Sequence, residues 1–160
     1  MTTVQYPESA VSQKPTLRIT LPSGWRPATI AGSEMSAIKL KDEGEFAPNI
    51  LLRIFEDSPT SSLETASQGV SNYIKTLENP TVLTDKTGEI NGQRWHVAEF
   101  IRRDKTVGDI IQQVATTAIK APEVTWVYRL TGTALSVNAK TDFTEIRQLL
   151  ASAVVEETRD

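Results

Sequence analysis

Leu17, Ile19 and Leu21 alternate with Arg18 and Thr20, the period-two pattern of a strand with one buried face. Pro22-Ser23-Gly24 makes a turn before Trp25. From Pro27 to Pro48 the pattern weakens. Residues 37–41 read as a short strand, Asp42-Glu43-Gly44-Glu45 as an acidic turn, and Phe46-Ala47-Pro48 as the lead into the next element. Residues 49–56, NILLRIFE, are apolar at both parities. That predicts a central strand with both faces covered.

A helix follows. Ser61-Ser62-Leu63-Glu64 reads as a capping box with Ser61 as N-cap and Glu64 reaching back to its amide. Leu63, Ala66, Val70, Ile74 and Leu77 share a helical face with Tyr73 beside them, and Asn79-Pro80 stops the run. Two strand-like runs, Thr81–Ile90 and residues 93–101, flank Asn91-Gly92. Those two residues fit a type I′ turn, whose central positions both need positive φ. Residues 109–119 have helical spacing as well as many β-branched positions. They are read as a strand, which pairs simply with the hairpin before it. Val124, Trp126, Tyr128 and Leu130 alternate on one face of a further strand. Gly132 marks a bulge or a close contact, and the shifted parity of Leu135 and Val137 suits a one-residue bulge. A last helix starts at Thr141 or Asp142, with Phe143, Ile146, Leu149, Leu150, Ala153 and Val154 as its stripe.

The elements predict an α/β (α+β) fold: an α-β-α sandwich with a central, mainly antiparallel β-sheet and two main helices. Residues 1–14 are polar and aperiodic and read as a flexible arm, clamped at Tyr6. Residues 15–155 form one domain, and residues 156–160 a charged tail.

Composition narrows the function classes. The formal net charge of -3 argues against general nucleic-acid binding, which needs many phosphate-neutralising cations on one face. Cysteine is absent, which excludes disulfides, thiol nucleophiles and Cys-ligated metals. No stretch approaches the apolar length of a membrane span or a signal peptide, so the expected location is cytoplasmic.

Catalytic motifs such as GxSxG, GxGxxG and GxxxxGK[ST] are absent, and no cofactor is expected. The single histidine, His96, excludes a His-rich metal site. It reads as a partly exposed or hydrogen-bonded sheet histidine, with a general base as the functional alternative. Asp42, Glu43 and Glu45 match no cation-loop spacing and read as a solvated turn, so no metal is expected. Arg102, Arg103 and Lys105 form a basic knot at a hairpin end, either a solvated turn or a contact for an acidic protein patch or anionic headgroup. Trp25, Trp95 and Trp126 read as core residues, with the lining of a ligand pocket as the functional alternative, and Trp25 is the one expected to be partly exposed because it follows a turn. Phe46 and Asn49 end the longest irregular segment, where binding residues gather. The candidate binding residues are therefore Trp25, Phe46, Asn49, Arg102, Arg103 and Lys105. Arg53 and Arg129 lie in apolar strands, either as an outward pair or bound to carboxylates.

Five local matches carry a family resemblance: Leu21-Pro22-Ser23-Gly24-Trp25, Phe46-Ala47-Pro48-Asn49-Ile50, Ile90-Asn91-Gly92, the YRLTGTA run at 128–134, and the closing helix. In that order and spacing the chain resembles the PsbP-like superfamily, and within it the LpqN/LpqT lipoprotein family. The resemblance implies an α-β-α sandwich and a non-enzymatic binding or accessory protein with a protein partner. It implies no shared active site. The sequence departs from the lipoprotein pattern in lacking a signal peptide and a lipidation cysteine. The rival readings are a carrier of a small apolar ligand, lodged between helix and sheet, and a hydrolase using His96 with a carboxylate.

Overall fold

Asn91 and Gly92 take φ of 49° and 81°, as a two-residue hairpin turn requires. They join β6 (Thr81–Ile90) to β7 (Gln93–Asp104). β8 (Gly108–Lys120) and β9 (Thr125–Leu135) continue the antiparallel meander, so residues 109–119 are strand. β5 (Asn49–Asp57) pairs with β9, β4 (Met35–Lys39) with β5, and β3 (Trp25–Ala28) with β4. The seven-stranded order is β3-β4-β5-β9-β8-β7-β6. β3 was not foreseen from the sequence. It contains Pro27, which is tolerated because the strand lies at the sheet edge.

The computed structural model describes residues 2–6 and 14–157. Within them, β1 (Thr2–Tyr6), β2 (Thr16–Leu21) and β10 (Val154–Glu156) form a separate three-stranded sheet in the order β1-β2-β10. This corrects two expectations. Thr2–Tyr6, assigned to a flexible arm, pairs residue for residue with β2 and rests Val4 and Tyr6 on the core. Glu156, assigned to the tail, ends a strand and meets Arg18 at 3.2 Å. Residues 1 and 7–13 of the expected arm, and residues 158–160 of the tail, lie outside the described residues.

Helix α1 (Leu63–Lys75) starts one residue later than predicted. Ser62, not Ser61, is the N-cap, accepting from the Thr65 amide at 3.2 Å. Ser61 instead donates to Asp57, and Glu64 pairs with Arg94 at 2.8 Å. Leu63, Ala66, Val70 and Ile74 are buried as the stripe requires. Helix α2 (Ala139–Ala151) follows a 3-10 turn, Ser136–Asn138. No bulge shifts the parity: the β9 register runs unbroken through Gly132 to Leu135, which therefore lies on the face opposite Tyr128 and Leu130, and Val137 belongs to the 3-10 turn. The α2 stripe is Phe143, Ile146, Leu149 and Leu150, while Val154 belongs to β10. Gly132 is the predicted close contact: a Cβ there would lie 2.4 Å from Ile146 Cγ2.

The helices lie on opposite faces of the large sheet. Val70 and Ile74 of α1 pack on Ala98, Phe100 and Val114. Phe143, Ile146, Leu149 and Leu150 of α2 pack on Trp95, Ile111, Ala115, Tyr128 and Leu130, positions of the opposite parity. The second face is also covered by the small sheet, through Leu17, Ile19 and Leu21. The Tyr128 hydroxyl, buried between the two sheets, donates to the Pro15 carbonyl, and burial pushes its pKa up. Among the described residues the first face has only α1. A helix about 10 Å wide spans roughly two strands spaced about 4.8 Å apart, and α1 spends that width on β7 and β8. β5 is therefore not covered on both faces. Ile50 and Leu52 are buried, but Arg53 and Phe55 are exposed on the α1 side.

Candidate functional site

The register brings the candidate residues to one end of the seven-stranded sheet. Trp25 faces Lys39, Ile38 faces Asn49, Asn49 faces Thr133, Thr133 faces Gln112, and Gln112 faces Phe100, two residues before Arg102. Trp25 and Asn49 thus lie toward the β3 edge, and Arg102, Arg103 and Lys105 toward the β6 edge. β5 and β7 are separated by β9 and β8, or roughly 14 Å at about 4.8 Å per strand.

On the β3 side the residues are held inward. Trp25 is only 5% exposed, against the expectation that it would be partly exposed. Its Nε1 donates to Glu145 of α2 at 3.1 Å. Lys39 bridges Glu145 and Asp142, both at 2.7 Å, and Lys41 reaches Asp142 at 3.1 Å. Asp142 is therefore a buried anchor inside α2 rather than its cap. Burial pushes its carboxyl up, and the bonds from Lys39 and Lys41 outweigh that and hold it below the usual range. Asn49 donates to the Ala47 carbonyl at 3.2 Å, a local bond that shapes the start of β5. Phe46 is half-buried.

On the β6 side the knot is divided. Arg102 donates to Gln112 at 2.8 Å, and Gln112 donates to Thr133 at 2.9 Å, a relay across three strands. Arg102 is thus partly structural. Arg103 and Lys105 are exposed, and Arg103 lies 3.7 Å from Asp109. The Asp104 carboxylate fixes the turn by accepting from the amides of Thr106 and Val107, which lowers its pKa. A cavity of about 370 Å³ between this turn and the start of β6 is lined by Arg102, Arg103 and Lys105 together with Thr81 and Ile101. Beside it Val82 and Leu83 are 51% and 47% exposed, and Val107 is exposed too. The sequence reading missed these three apolar residues. A strand pattern alone does not reveal that β6 is the edge of the sheet, with no strand beyond it among the described residues.

His96 does meet a carboxylate: its Nε2 lies 2.7 Å from Asp85 Oδ1. The ring is buried, and its Nδ1 has no hydrogen-bond partner among the described residues. No cavity described here is lined by it. The largest, about 730 Å³, lies between the β6–β7 hairpin and α2. Its polar wall includes Lys86, Glu99 and Arg147. Burial raises the Glu99 carboxyl, but bonds from Arg147, Gln113 and Thr84 outweigh it and leave the group below its ordinary value. Arg53 and Arg129 are register partners on the α1 face. Among the described residues no helix is long and apolar enough to cross a membrane.

Over nearly its whole length the chain superposes on solved structures. LpqN of Mycobacterium tuberculosis, described as involved in cell envelope biogenesis, matches with a TM-score of 0.79, at 12% identity, over 97% of this chain and 91% of that one. The chain has the PsbP-like fold. Cyanobacterial PsbP from Synechocystis sp. PCC 6803 matches with a TM-score of 0.60 at 11% identity, over 96% of this chain and 92% of that one. The Ran-binding protein Mog1p of Saccharomyces cerevisiae matches at 0.58 and 12% identity, over 96% and 94%. At these identities the likeness concerns the PsbP-like fold alone. No protein-family model and no curated protein sequence matches the chain.

Proposed function

We infer that the chain is a non-catalytic accessory module that binds a protein partner through the β6 edge and the adjoining β7–β8 turn. The observation that carries this reading is the exposure of the apolar residues Val82 and Leu83 on β6 and Val107 in the β7–β8 turn, together with the exposed cations Arg103 and Lys105. An apolar patch rimmed by charge is the usual composition of an interface. A fixed turn and an unpaired edge present it with little ordering cost. PsbP-like neighbours include a protein described as Ran-binding, which is consistent with a binding role for the fold. The partner's facing surface carries carboxylates around an apolar centre. The buried His96, outside every cavity described, gives a hydrolytic reading no comparable support.

The test is affinity capture from native lysate with quantitative mass spectrometry, wild type beside an Arg103→Glu/Lys105→Glu variant. Arg102 is left intact because its bond to Gln112 is part of the sheet. One acidic-surfaced partner depleted at least about tenfold by the variant, at unchanged thermal stability, is the expected result. Equal recovery by both proteins, or no partner for either, sinks the reading.

A further inference from the structure

The half of the sheet that α1 leaves uncovered carries an unneutralised pair of cations. Arg53 of β5 and Arg129 of β9 stand directly opposite each other, an arrangement in which like charges repel. Among the described residues neither has a carboxylate within salt-bridge distance. Arg129 is partly desolvated, and that burial alone pulls its pKa down. It is also held in place. Nε donates to Thr116 at 3.2 Å, Nη2 to the Ala66 carbonyl of α1 at 3.0 Å, and the guanidinium lies 5.4 Å from the Phe55 ring centre. Its Nη1 has no protein acceptor among the described residues. Both arginines line a groove of about 410 Å³ with Leu51, Val70, Tyr73 and Thr131. Tyr73 on its α1 wall and Phe55 under Arg129 are 47% and 43% exposed.

We propose that this groove binds an oxyanion carried on a flat apolar body, an aromatic carboxylate or an aryl phosphate. A planar guanidinium fixed at Nε and Nη2 is pre-organised for the parallel hydrogen bonds such a head accepts. An anion between the two arginines converts their repulsion into attraction. The apolar body lies against Leu51, Val70 and Tyr73, and the volume falls within the usual range for small-ligand sites, about 300–1,000 Å³. The site lies on the open sheet face, away from the β6 edge, and does not rest on the protein-binding reading.

Nitrogen-15 NMR titration of the full chain tests it, with benzoate, phenyl phosphate and, as the uncharged control, benzamide. The expected result is saturable movement of the Gly69 and Thr131 amides and of the Arg129 Nε signal, with dissociation constants near or below about 1 mM for at least one anion. Benzamide binds at least about tenfold more weakly. The stronger of the two anions identifies the head group. Arg53→Gln, at an exposed position, preserves the spectrum and weakens anion binding by about tenfold, so the test does not depend on the folding of Arg129 variants. No movement at these signals, equal binding of benzamide, or anion binding indifferent to Arg53→Gln overturns the proposal.

Discussion

The two faces of the seven-stranded sheet are built differently. One is sealed by α2 and the small β1-β2-β10 sheet, and there Trp95, Tyr128, Phe143, Ile146 and Leu149 are all essentially inaccessible. The other, among the described residues, has α1 alone, which covers β7 and β8 and leaves Arg53 and Phe55 of β5 in the open. The sealed face includes tight fits such as Gly132 against Ile146. The open face carries Thr131, Thr133, Arg129 and Arg53 instead of a continuous apolar surface. Stability is concentrated on one side of the sheet, and surface chemistry is left available on the other.

The contrast is broken most directly by truncating a large side chain on each side. Trp95→Ala on the sealed face should cost about 3–5 kcal/mol, whereas Phe55→Ala should stay within about 1 kcal/mol. Urea unfolding measures both, and comparable losses would mean that the open face is covered in solution. Next in size is Gly132→Ala, which drives a methyl into Ile146 and should cost about 1–3 kcal/mol. Ile146→Ala should then be less damaging in the G132A background than in wild type, and strict additivity in the double-mutant cycle would refute the close fit.

Glu99 sharpens the comparison through pH. Its folded pKa is depressed, so its contribution is fully present above the unfolded value of about 4.3 and is lost as pH falls through the folded value. Glu99→Gln should cost about 1–2 kcal/mol at neutral pH, and the gap to wild type should close as pH falls below the unfolded value and through the depressed folded one. A gap independent of pH, in unfolding curves collected across that range, would show that the Arg147 pair contributes nothing. The smallest effect is expected at Arg53. Arg53→Gln removes the repulsion facing Arg129 and should raise stability by a few tenths of a kcal/mol, up to about 0.5. A clear loss of stability would instead indicate an attractive partner for Arg53.

Much of the fold was legible in the chain because it depends on local chemistry. Asn91-Gly92 specifies its turn through two positive φ angles, and the apolar spacing of Leu63 to Ile74 specifies one buried helical stripe. The β-branched run at 109–119 preferred strand over helix. The candidate site was legible only in part. Arg103 and Lys105 are exposed at a hairpin end as read, but Arg102 joins the sheet relay and Trp25 is buried against Glu145, a residue 120 positions away. No local pattern around Trp25 announces that partner.

The sequence alone determined the turns, the two amphipathic helices and the alternating strands, because each is decided by backbone preference or side-chain period within a few residues. Tertiary structure decided what lies on top of them. The small sheet joins residues 2–6, 16–21 and 154–156 from opposite ends of the chain. The width of a single helix leaves half of one face bare. The facing of Arg53 by Arg129 follows from a register between strands more than seventy residues apart. Coverage and register depend on contacts distant in sequence, and those exist only once the sheet has assembled.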